Sequence, residues 1–165
     1  MKKLILVAVL ALVGFTASAQ GQFKAGISGG LPIGDAGDLA TFAIAVDLGY
    51  LFEISDSFDA GVATGYSHSF GDEIDILGTS IELDDVQFIP VAASGRFEVA
   101  PDFTLGADLG YAIGVNDGND GGFYYSPRAQ YSVSEAIDIV VAYRGVSADG
   151  GSWDILSAGI EFGID

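Results

Sequence analysis

Cysteine is absent from the 165 residues, which excludes disulfides and thiolate metal sites alike. Basic residues are scarce as well, with six Lys and Arg against 23 Asp and Glu. Such a surface repels nucleic-acid phosphates, because binding them relies on Lys and Arg displacing counterions. Nucleic acid is therefore excluded as a partner. Beyond residue 19 no run of 18 consecutive apolar residues occurs, so that part holds no ordinary membrane-spanning helix. A phosphate-binding GKS/T loop, a paired-histidine motif and a nucleophile elbow are all missing. No cofactor and no metal centre is expected. Histidine occurs once, as His68 between Ser67 and Ser69. Ser–His catalysis needs the base within hydrogen-bond reach of the hydroxyl. Neighbours in a strand point to opposite faces, so neither serine suits His68. The sequence does not predict an enzyme.

What is present begins at the N-terminus. Lys2 and Lys3 precede an apolar run over residues 4–15, and Ala17-Ser18-Ala19 then gives an A-x-A cleavage pattern before Gln20. This reads as a secretory signal peptide, its apolar run too short for an ordinary spanning helix. The expected organisation is a signal peptide over 1–19 and one exported domain over 20–165. Of the bases only Lys24, Arg96, Arg128 and Arg144 lie in that domain, and four bases against 23 acids leave it a formal charge of −19. High acidity with few aromatics would suggest disorder. Here half the residues are hydrophobic, with 11 Phe, 7 Tyr and 1 Trp.

The dominant pattern is alternation, and it recurs in eight segments: 23–31, 42–52, 58–70, 86–99, 103–113, 123–133, 137–144 and 156–164. A period of two is the strand signature, since successive side chains point to opposite faces. Connections at 53–57, 100–102 and 134–136 are tight. Those at 32–41, 71–85, 116–122 and 147–152 are longer and rich in Gly and Asp. Long and short connections thus alternate, which predicts an all-β, eight-stranded antiparallel up-and-down transmembrane barrel with tight periplasmic turns and longer outer loops. One face of each segment carries Phe, Tyr, Leu, Ile and Val; the other carries Gly, Ala, Ser and nearly all the strand charges. A lipocalin-like soluble barrel would need that second face to cover its outside, for which it is poorly suited. Eight strands leave an interior just wide enough for side chains to fill, and small residues suit it.

Aromatics fall in two bands: Phe42, Tyr66, Phe70, Phe123 and Tyr125 near the outer strand ends, and Phe23, Phe52, Phe58, Phe97, Phe103 and Phe162 near the periplasmic ends. Such girdles sit at the two membrane interfaces, where His68 would also lie. Pro90 and Pro127 interrupt two strands near their outer starts, and bulges are expected to accommodate them. The loop 116–122 superficially suggests calcium but lacks the terminal bidentate Glu of an EF-hand. Asp72, Glu73, Asp75, Glu82, Asp84 and Asp85 concentrate in 71–85; they read as solvated loop acids, with divalent cations as candidate partners.

Parity places Lys24, Arg96, Arg128 and Arg144 on the polar face, together with Asp47, Asp59, Asp108, Asp138 and Glu161. A chain so rich in acid has no evident reason to put every base inside unless the bases neutralise carboxylates there. These nine residues are the expected lumenal ion-pair network.

Over residues 20–165 the chain resembles the small outer-membrane β-barrel family of Gram-negative bacteria, OmpA-like or OmpX-like in size. The most local element is Ser157-Ala158-Gly159-Ile160-Glu161-Phe162-Gly163-Ile164, which looks like the family's assembly signal; Asp165 stands where many members end in an aromatic residue. The resemblance implies outer-membrane localisation, a monomer in outer-membrane lipid, and the barrel-assembly machinery as a partner during insertion. A structural or interaction role is the leading reading. The alternatives are a narrow porin-like channel for small solutes and a soluble periplasmic ligand-binding barrel.

Overall fold

In the computed structural model, residues 21–76, 79–148 and 150–164 are described; the expected signal peptide lies outside them. Eight long strands close into one antiparallel barrel. They are β1 (Gly21–Ile33), β2 (Ala40–Ser55), β3 (Phe58–Gly71), β6 (Val86–Ala100), β7 (Phe103–Gly114), β8 (Gly122–Ser134), β9 (Ile137–Ala148) and β10 (Gly151–Ile164). β4 (Glu73–Ile76) and β5 (Thr79–Glu82) form a separate hairpin within the connection from β3 to β6, and a short 3-10 helix (Gly34–Asp38) joins β1 to β2. Closure comes from β1 pairing with β10, Phe23 opposite Ile164 through to Ile33 opposite Asp154.

The alternation sets the faces. Ile27, Val62, Val91, Leu109 and Val141 project outward with 48–60% of their surface exposed. Ala43, Ala45, Ala92, Ala112, Ser94 and Ser126 are buried inside. A soluble barrel would turn the large apolar side chains inward; here they clothe the exterior. Glycine on the inner face lets the strands close tightly: a Cβ at Gly110 would collide with the Val91 carbonyl of the neighbouring strand.

Turns at one end are two residues long, at 56–57, 101–102 and 135–136, and Asp102 takes a positive φ of 63°. Two expectations are corrected at the other end. The stretch 147–152 is not a long loop: Ser147 faces Ser152 and Ala148 faces Gly151, so β9 runs on to Ala148 and β10 already begins at Gly151. Just before β10, Gly150 adopts φ +107°, a conformation that glycine takes at little cost. Polar composition had hidden a hairpin.

The prolines also behave otherwise than expected. Neither makes a bulge. Register is unchanged across them, with Thr64 opposite Val91 and Ser67 opposite Phe88, and with Tyr125 opposite Gly145 and Arg128 opposite Ala142. Each proline interrupts pairing on one side only, where its missing N–H would have donated, and its other ladder continues, Pro90 with Ala112 and Pro127 with Ala107. The Pro90 carbonyl accepts a hydrogen bond from the Thr64 hydroxyl at 2.8 Å. The register shifts fall near strand ends instead, at Ala40/Phe42, Glu53/Ser55, Glu98/Ala100 and Ser132/Ser134.

A sheet closed in this way has no edge at which unfolding can start. Unboiled protein is therefore expected to run anomalously on a detergent gel and to shift on boiling. Identical mobility before and after, in several detergents, would contradict a closed barrel.

Candidate functional site: the barrel lumen

Inward-facing positions stack in three layers. At the loop end Phe88, Ala92, Ala112, Tyr124 and Val146 form an apolar cluster against which Val86 and Trp153 pack. The Trp153 indole N–H donates to Ser69 Oγ at 3.1 Å, which satisfies the polar atom of an otherwise apolar side chain.

The middle layer is ionic. Arg128 reaches two carboxylates, Asp108 at 2.7 Å and Glu161 at 3.0 Å. Asp108 also stands 2.9 Å from Arg96 and accepts from Ser94 Oγ at 2.7 Å. Gln130 Nε2 donates to the second oxygen of Glu161 at 2.9 Å. Arg144 grips Asp47 with both terminal nitrogens, at 2.8 and 2.6 Å. It donates further to Ser157 and Ser28 at 3.0 and 3.1 Å. These groups come from β1, β2, β6, β7, β8, β9 and β10, so the layer ties together strands remote in sequence. Nearer the tight turns Lys24 pairs with Asp138 at 3.3 Å, and Asp138 accepts from Ser132 Oγ at 2.6 Å.

Eight of the nine residues singled out from the sequence thus meet in direct pairs: Lys24, Asp47, Arg96, Asp108, Arg128, Asp138, Arg144 and Glu161. The ninth, Asp59, lies opposite Arg96 in the β3–β6 ladder but makes no salt bridge among the described residues. Parity missed the uncharged partners Ser28, Ser94, Gln130, Ser132 and Ser157. Each lies on the inner face, yet a hydroxyl or amide there looks like any other small polar position.

Space in the lumen is uneven. Around Asp47, Arg96, Asp108, Arg128 and Glu161 a void of about 20 Å³ remains, and about 10 Å³ beside Tyr124, Arg144 and Trp153. The first is room for one water. Arg96 Nε, Arg128 Nε and Ser126 Oγ are buried without protein partners. On the tight-turn side an open vestibule of about 780 Å³ is lined by Asp59, Asp102, Thr104, Glu135 and Asp138.

Two polar constellations lie outside the lumen. His68 faces outward at the end of β3, its ring 4.5 Å from that of Phe70. Tyr66 Oη and its Nδ1 are 3.2 Å apart, and its Nε2 is 2.8 Å from Asp85. Asp85 also accepts the Gly71 N–H at 2.9 Å. That bond, followed by His68, holds the Asp85 carboxyl below its ordinary range, against the opposing effect of burial. Asp154 is the exception to the rule that strand charges face inward. It shares the outer face with Leu156, is 8% exposed, and accepts hydrogen bonds from Tyr125 Oη and Ser152 Oγ. The Tyr125 ring reaches it by lying over Gly145, where any Cβ would strike the ring. Among the described residues no three His, Asp or Glu side chains converge to hold a metal ion.

Comparison with protein families finds the outer membrane protein beta-barrel domain matched over residues 5–163. The chain belongs to this family. It is an outer-membrane β-barrel protein, its strands crossing the membrane. Solved structures agree on the fold. The Yersinia pestis outer membrane protein Ail in a phospholipid bilayer nanodisc superposes with a TM-score of 0.63 at 15% identity, covering 88% of this chain and 100% of that one. Neisserial surface protein A gives 0.52 at 16% identity, over 88% and 98% of the two chains. The N-terminal β-barrel domain of Pseudomonas aeruginosa OprF gives 0.52 at 14%, over 89% and 100%. A comparison with curated proteins found no match.

Proposed function

We propose that this outer-membrane barrel is a non-enzymatic structural or interaction protein that closes its own lumen and presents acidic loops to the outside. The observation that carries the reading is the ionic layer, in which Arg128 bridges Asp108 and Glu161 while Arg144 grips Asp47. Directly above it lies the apolar cluster around Phe88 and Tyr124. Voids of only about 20 and 10 Å³ in these two layers support a lumen closed to hydrated ions. An ion entering the ionic layer would also have to displace charges already satisfied by one another.

The absence of catalysis is inferred from placement. His68 faces outward while Ser67 and Ser69 face the lumen, Ser69 bonded to Trp153, so neither flanking serine is within its reach. We further propose that residues 1–19 are a cleaved signal peptide and that the domain is 20–165. With β1 paired to β10 the barrel sheet leaves no edge for a second copy, which favours a monomer. The β10 strand is the segment that the assembly machinery would engage. The outer acids draw divalent cations as a diffuse field, a consequence of the net charge.

Conductance in planar bilayers tests the closed lumen. Purified full-length protein is expected to insert without discrete current steps in potassium chloride. Reproducible single-channel steps from correctly folded, heat-modifiable protein would favour the porin-like alternative.

A further inference from the structure

At the loop end, above the lumenal cluster, lies an open cup of about 370 Å³, within the usual size range of small-molecule pockets. Its floor is apolar: Trp153, Phe88, Val86 and Val146. The indole N–H of Trp153 is already committed to Ser69, so this side chain offers the cup apolar surface and a π system rather than a free donor. Asp35 and Asp117 line the same cup. Both are exposed, and neither carboxylate has a hydrogen-bond or ion-pair partner among the described residues. Among the described residues no base is to spare for them, because Lys24, Arg96, Arg128 and Arg144 are all engaged in the lumen. The countercharge has to come from outside. A bare metal ion would leave the aromatic floor unused, whereas a plain hydrocarbon would leave the two carboxylates unanswered.

We propose that this cup binds a small organic cation carrying an apolar body, of the arylalkylammonium class. The body rests against Trp153 and Phe88, with cation–π attraction to the indole, and the ammonium group lies toward Asp35 and Asp117. Asp84 and Asp85, which line an adjoining cleft together with Asp117, add to the field that concentrates cations at this end. The inference goes beyond the structural role proposed above and does not require a closed lumen. A conducting barrel would overturn that role and leave the cup untouched.

Trp153 is the only tryptophan in the chain, so the site carries its own reporter. Folded full-length protein in micelles would be titrated with 2-phenylethylammonium while Trp153 emission is followed. N-acetyltryptophanamide in the same micelles would correct for unspecific quenching. Saturable change is expected with 2-phenylethylammonium, and none with phenylacetate or ethylammonium over the same range. The double variant Asp35→Asn, Asp117→Asn should weaken binding about three- to ten-fold, as expected for two exposed charge pairs. It should keep wild-type heat modifiability, since neither carboxylate makes an internal contact. Wild-type affinity in that variant would overturn the proposal. So would the absence of saturation with 2-phenylethylammonium, or equal saturation by phenylacetate or ethylammonium.

Discussion

Replacing Arg128 with leucine is expected to destabilise the barrel by about 3–5 kcal/mol, the usual cost of leaving a buried charge unpaired. The side chain is 4% exposed, as against 2% for Asp108 and 8% for Glu161. Removing the guanidinium strands two buried carboxylates at once. Arg96 would still face Asp108, but Glu161 would keep only Gln130. The conservative variant Arg128→Lys should fall between, because an ammonium restores the charge without the planar fork that reaches both carboxylates. Arg144→Leu should behave like Arg128→Leu, since it abandons a bidentate pair with Asp47 and two serine contacts. Asp120→Asn is the reference: its side chain is exposed in the outer loop after β7, and the change should stay within about 0.5 kcal/mol. Urea titration in micelles reads all four. Equal midpoints for Arg128→Leu, Arg144→Leu and Asp120→Asn would mean that the ionic layer holds nothing together.

Parity along a strand is the reason so much of this interior was legible beforehand. Once a segment alternates, each residue's face follows from its neighbours, so Lys24, Asp47, Asp108 and Arg144 could be placed inside without knowing their partners. Pairing is another matter. Arg144 and Asp47 lie 97 positions apart, and Lys24 and Asp138 lie 114 apart. Which acid meets which base depends on stagger around the closed barrel, a long-range property that alternation does not encode. Asp154 shows where the rule fails. It sits on the outer face because Tyr125 and Ser152 hydrogen-bond it near the loop end, and no local pattern announces a tyrosine from two strands away. The pairing of Ala148 with Gly151 was obscured for a different reason. Ser147, Ser152 and the glycines between them look like loop, yet Val146 and Trp153 still face each other across β9 and β10. Pro90 and Pro127 misled in the opposite sense: a lost N–H suggested a bulge, and the barrel left one ladder locally open while keeping the register.

The exterior invites the complementary substitution. Val141 lies midway along β9, paired with Ala129 on β8 and Ala158 on β10, and projects outward with 48% of its surface exposed. Val141→Arg should destabilise the folded protein by about 2–4 kcal/mol in a bilayer, the cost of a guanidinium near mid-membrane depth on the lipid face of a barrel. Packing is not at issue, since the side chain points away from the lumen and meets no protein core. The guanidinium has to leave water, or draw water and headgroups inward by snorkelling. Val115, just beyond β7 and 47% exposed, supplies the contrast. Val115→Arg lies at the outer rim and should cost about 0–1 kcal/mol, as barrel substitutions do near an interface. The chemical change and starting exposure are nearly the same, so membrane depth is the main variable between the two. Urea unfolding from phospholipid vesicles, with both variants compared to the wild type, measures the difference. A gap of about 2 kcal/mol or more is the signature of hydrocarbon around β9. Indistinguishable midpoints would mean that Val141 faces water, and the outward apolar surface would then need another partner than lipid.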